Sequence, residues 1–203
     1  MANDSTSTLL VEDPSIDLEI VEGMIPVLED YIIKDEVYRT VILPTSKGDQ
    51  NIRMTGGDLL ARLHRLAGER AELSAGEQQR FDAAQRKADE TIRSYRTRFN
   101  ARLVREMKAR LDSLRWFFDD CGGDRMRCRV EYPFEMRNRQ RVEEILKQVG
   151  SDVPTELKSV LTRIDKRIRE FAAPSAFVWT PRMEKVYPRD TYWYLYMLPP
   201  LPN

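Results

Sequence analysis

From Ser74 onward the apolar positions of the chain fall into a stripe. Phe81, Ala84, Ala88, Ile92, Tyr95, Phe99, Leu103, Met107, Leu111, Leu114 and Phe118 recur at steps of three and four. That spacing puts side chains on one face of an α-helix. Ser74 and Glu77 stand in the relation of a capping box at its start, and no Pro or Gly interrupts the run beyond Gly76. The pattern predicts a helix over about 75–118. Phe81, Ile92, Leu103 and Leu114 lie eleven apart, the repeat of a straight or slightly right-handed stripe. At 1.5 Å per residue such a helix spans ~66 Å, whereas a compact domain of this length is ~43 Å across. Unbroken, it projects beyond its own domain and its stripe needs a partner; a kink is the competing expectation.

Other segments carry weaker periodicities. Ile16–Val21 alternates apolar with acidic residues, a strand pattern. Glu36–Leu43 and Gln50–Met54 flank a turn at Thr45–Asp49 and predict a β-hairpin over about 36–54. Thr55-Gly56-Gly57-Asp58 opens a short helix with Leu59, Leu60, Leu63 and Leu66 on one face. Cys121-Gly122-Gly123-Asp124 stops the long helix, and Arg127–Tyr132 reads as a strand ending at Pro133. Asn138–Val149 and about 155–172 read as a helical hairpin. In the last stretch, Ala176–Thr180 and Thr191–Leu198 read as strands returning to the N-terminal hairpin. The predicted class is α+β, mainly α: a long central helix, a helical hairpin at about 138–172, and a small antiparallel sheet from N- and C-terminal strands. Residues 1–15 read as a flexible lead-in and 16–203 as one domain, with a hairpin region at 16–57, a helical body at 58–172 and a Pro- and aromatic-rich arm at 173–203.

Composition narrows the function classes. The 203 residues carry 33 basic and 33 acidic side chains, but the first 60 hold 4 basic against 12 acidic and residues 86–141 hold 16 against 9. Neutrality is therefore a cancellation between segments, which suits charge-matched contact within the chain or across an assembly. The longest strongly apolar run, Tyr192–Leu198, is far short of a membrane span. The N-terminus lacks the basic and apolar regions of a secretory leader. Both features lead us to expect a cytoplasmic chain with no membrane association, in which Cys121 and Cys128 stay reduced.

Candidate chemistry is sparse. No phosphate loop, nucleophile elbow or dinucleotide fingerprint occurs, and His64, the one histidine, sits beside an apolar helix face. The two Gly-Gly-Asp strings, 56–58 and 122–124, border helices. Asp119, Asp120 and Asp124 could gather a hard cation or, with Arg125–Arg129, serve a carboxylate- and arginine-based enzyme, but turn and capping roles are commoner for Asp. No cofactor and no catalytic or metal site is assigned. Arg125, Arg127, Arg129, Arg163, Lys166 and Arg167 are the residues a nucleic-acid interface would use, although the arginines of the long helix encircle it and form no basic stripe. The expected function is a non-enzymatic structural or adaptor subunit that binds a protein partner or a second copy. Its expected interface residues are Tyr95, Phe99, Leu103 and Met107 on the helix and Tyr192, Trp193, Tyr194 and Tyr196 in the aromatic arm.

Overall fold

The computed structural model describes residues 13–36, 38–46, 48–121 and 123–201; of the expected lead-in, residues 1–12 lie outside that range. The fold is α+β and mainly α. Its described residues form two compact units, one over Glu12–Glu106 and one from Met107 onward, with the boundary inside a helix.

The first unit begins with α1, Pro14–Ile33. The Asp13 carboxylate caps it by accepting the Ser15 N–H at 2.9 Å, and Pro14 supplies a preset φ in the first turn. The strand expected at Ile16–Val21 is thus helix. Its alternation implied that Asp17 faced water, but Asp17 is fully buried, gripped by the Arg62 and Arg65 guanidiniums. Arg62 also pairs with Asp58 at 3.0 Å.

The expected hairpin is present: β1, Arg39–Thr45, pairs antiparallel with β2, Gly48–Met54, setting Arg39 opposite Met54 and Thr45 opposite Gly48. It packs on α1 so closely that a Cβ on Gly23 would collide with the Leu43 side chain. Helix α2, Gly56–Gly68, starts at the first Gly-Gly-Asp string. The Glu106 carboxylate accepts from the Thr55 hydroxyl at 2.7 Å and the Gly57 N–H at 2.9 Å, and the Tyr31 hydroxyl accepts from the Gly56 N–H at 3.0 Å. A carboxylate therefore holds the positive end of this helix.

The long apolar stripe is carried by two helices, α3, Ala75–Ser94, and α4, Arg96–Asp120. The predicted capping box opens α3: the Ser74 N–H donates to the Glu77 carboxylate at 2.8 Å and the Glu77 N–H to the Ser74 hydroxyl at 3.4 Å. Between the helices only Tyr95 departs from helical geometry, at φ −117° and ψ 26°. Just before it, the Thr91 and Ser94 hydroxyls donate back to the Lys87 and Glu90 carbonyls at 3.0 and 2.9 Å, a bond type that bends helices. The Tyr95 hydroxyl itself donates to Glu29. Charge matching between the acidic first segment and the arginine-rich centre occurs inside this unit, where Asp35 takes Arg102 at 3.1 Å and also Arg105.

The second unit contains the rest of α4, then α5, Arg125–Val149, and α6, Thr155–Phe171. The strand expected at Arg127–Tyr132 is the first two turns of α5, and the helix expected from Asn138 starts at Arg125. The Asp124 carboxylate caps it, accepting the Arg127 N–H at 2.9 Å. The helix runs through Pro133, a residue that ordinarily ends one and here misplaced the predicted boundary. Cys121 and Cys128 are disulfide-bonded, not reduced. The capped reversal brings their Cα atoms to 5.6 Å, within bridging range, and buries both residues.

The chain closes with β3, Ala173–Pro174, and β4, Met197–Leu198, paired antiparallel. The single sheet expected from both termini is instead two local two-stranded ladders, β1–β2 and β3–β4. Ala176–Thr180 is bends, and Thr191–Leu198 is largely a 3₁₀ turn at Trp193–Tyr196. The prolines at 174, 181 and 188 stop longer strands, and the aromatic rings pack on one another. Trp179 meets Tyr187 edge-on at 5.2 Å and Tyr187 meets Tyr192 at 5.0 Å. The Tyr132 hydroxyl donates to the Tyr194 carbonyl at 3.0 Å and the Trp179 indole N–H to the Pro133 carbonyl at 2.7 Å, tying the segment to α5.

Candidate interaction groove

The residues predicted as interface anchors lie mostly inside the protein. Phe99, Leu103 and Met107 are buried members of the stripe, and Tyr192, Tyr194 and Tyr196 are buried in the aromatic cluster. Tyr95 and Trp193 are half-buried, the first bonded to Glu29 and the second stacked under Arg169 at 3.5 Å. Burial also fixes their chemistry. It pushes the Tyr192 and Tyr194 hydroxyls well above the usual tyrosine range, and for Tyr192 a hydrogen bond donated to Glu144 at 2.5 Å adds to the effect.

The cations of the nucleic-acid alternative are largely paired. Arg127 lies between Asp120 and Glu131, Arg129 donates to the Pro199 carbonyl, and Lys166 is 3.6 Å from Glu170. Arg167 binds Asp119 and donates to the Phe118 carbonyl at 2.7 Å. Arg125 and Arg163 are exposed. The three aspartates have these same duties: Asp119 and Asp120 in ion pairs, Asp124 as a helix cap. Among the described residues no group of three or more His, Cys, Asp or Glu could hold a metal. His64 is half-buried on α2, and no described helix is long and apolar enough to cross a membrane.

What the structure does present is a groove between α4 and α5. Two cross-hairpin hydrogen bonds, Arg127 to Asp120 and Arg110 to Asn138 at 2.9 Å, set the helices antiparallel in one register. The trough along them has a volume of about 1380 Å³. From α4 it is lined by Ala109, Asp112, Ser113, Arg115, Trp116, Phe117, Asp119 and Asp120, and from α5 by Arg127, Glu131, Glu135 and Asn138. Ala109 and Ser113 are small and keep it open, while Phe117 forms its buried apolar part. Trp116 stands on its wall 71% exposed. A large aromatic exposed on the wall of an open groove is the kind of residue that contact surfaces concentrate.

The lining carboxylates differ in how well they are compensated. Asp112 pairs with Lys108 at 2.9 Å and Arg115 at 3.3 Å, Asp119 has Arg167, and Asp120 and Glu131 share Arg127. Among the described residues Glu135 has only the neutral Asn138 amide, which donates to it at 3.3 Å. Burial raises its carboxyl above the usual glutamate range, and the Glu131 charge one turn away adds to the rise, with the Asn138 bond opposing both.

Trp116 escaped the periodicity because it lies about 160° from Leu114 around the helix, opposite the stripe. A large aromatic on the wrong face of a clean stripe was the one signal that could have marked it. The groove also needs α5 to begin at Arg125, and the apparent strand ending at Pro133 hid that. No protein-family model, no curated protein and no solved structure matches this chain.

Proposed function

We propose that the chain is a non-enzymatic assembly subunit that docks a protein partner in the groove between α4 and α5. The observation that carries this reading is the exposure of Trp116 on the wall of an open groove, on the helix face opposite the buried stripe. Monomeric proteins seldom leave large aromatics exposed beside such a trough, and binding surfaces concentrate them. The reading moves the contact surface away from the buried stripe and aromatic arm. The ion pairs at Arg127, Lys166 and Arg167 weaken the nucleic-acid alternative, since phosphates need uncompensated cations. The disulfide favours an oxidising compartment over the cytoplasm, because disulfides persist where thiols are not kept reduced.

The test is crosslinking and affinity capture of the native protein beside a Trp116→Ser variant whose circular dichroism matches wild type. Loss of a specific crosslinked species from the variant is the expected outcome. Identical species for both baits, with both particles monomeric by light scattering, would overturn the proposal.

A further inference from the structure

Resting on the docking reading above, we infer that the groove's occupant is a basic amphipathic helix of a protein partner, laying an apolar side chain on Trp116 and an Arg or Lys on Glu135. Two antiparallel helices leave a trough into which a third helix fits by ordinary ridge-and-groove packing. The charges select its sign. Five carboxylates and two guanidiniums line the groove; Lys108 and Arg115 hold Asp112, Arg167 holds Asp119, Arg127 serves Asp120 and Glu131 together, and Glu135 is left with a neutral amide. Glu131 and Glu135 also stand one turn apart on α5, a destabilising like-charge spacing that an incoming cation relieves. A second copy of the chain in an isologous contact would bring no new cation to Glu135 from this face, and a phosphate placed there would meet a carboxylate instead of a cation.

The register gives the spacing. The bonds Arg110–Asn138 and Arg127–Asp120 place Glu135 opposite position 113 of α4, three residues from Trp116, or ~4.5 Å along the axis. The partner's apolar anchor and its cation therefore lie three or four residues apart on one helix face.

The experiment uses the full chain, with its disulfide intact, and three labelled synthetic helices read by fluorescence anisotropy. One carries Leu anchors with Arg at i+4, one has every Arg replaced by Glu, and one has every anchor Leu replaced by Ala. The inference expects saturable binding of the first and none of the second, loss of binding by Trp116→Ala, and weakening by ~2–5-fold for Glu135→Gln, the range of a partly solvated ion pair. Equal binding of the basic and acidic helices, or no effect of Glu135→Gln, overturns the inference while a Trp116 dependence upholds docking. No binding of any helix, together with a concentration-dependent dimer that Trp116→Ala dissociates, makes the occupant a second copy and also overturns it. No binding and no effect of Trp116→Ala on any measurement removes both readings. Trp116 and Glu135 face the groove, and thermal unfolding of each variant verifies that its fold is retained.

Discussion

Asp17 shows how one side chain can redirect the reading of a whole segment. Buried between Arg62 and Arg65, it serves a core while looking like a surface residue. Removing one member of such a buried network leaves an uncompensated charge, so Asp17→Ala should lower stability by ~3–5 kcal/mol in urea denaturation. Glu77 lies at the other extreme, on the surface. Hydrogen bonds from the Ser15 hydroxyl and from the Ser74 hydroxyl and backbone hold its carboxyl down to about 2, against an ordinary value of 4.5. A depressed acid stabilises the fold above its unfolded value and loses that contribution as pH falls through the folded one. The stability difference between wild type and Glu77→Gln should therefore be full above pH 4.5 and vanish as pH approaches 2. A constant difference across that window would show that the box does not act through the ionised carboxylate. Gly56 is decided by space: a Cβ there would meet Leu103 at 2.8 Å and Phe99 at 3.0 Å. Gly56→Ala should cost ~1–3 kcal/mol by overpacking, measured as a lowered midpoint of thermal unfolding.

At the scale of elements, those with several agreeing local signals were legible. The capping box, the apolar stripe and the glycine-rich stop gave α3 and most of α4; the turn residues gave the β1–β2 hairpin. The failures share a cause, which is that a tertiary contact overrode a local rule. Ion pairing buried Asp17 and made α1 helical, the Asp124 cap started α5 before a proline expected to end a strand, and ring packing replaced strand pairing in the C-terminal segment. The disulfide belongs to the same group, because its pairing depends on two helix ends meeting. It closes a loop with a sequence separation of 7, for which chain entropy predicts ~2–3 kcal/mol of stabilisation. Unfolding of a Cys121→Ser/Cys128→Ser variant should show a loss of that size, and an unchanged midpoint would mean the reversal is held by Asp124 and the Asp120–Arg127 pair alone.

For the molecule as a whole, the mainly helical α+β class was visible in the periodicities, and the charge asymmetry in the counts. The groove was not, because it exists only once α4 and α5 share a register, and the residue that marks it sits off the pattern. The boundary between the two compact units falls within α4, which implies that protection from hydrogen exchange is not uniform along that helix. Mass spectrometry should find two blocks of amides with different opening free energies and a step near Met107; one uniform rate from Arg96 to Asp120 would contradict it. The buried disulfide at the α4–α5 reversal gives a further measure of such opening. With both sulfur-bearing residues almost wholly shielded from solvent, a small reductant reaches them only when the hairpin end unfastens. The rate of reduction, once independent of reductant concentration, then counts those openings directly, so two atoms placed by a capped turn become a clock for the mobility of the groove beside them.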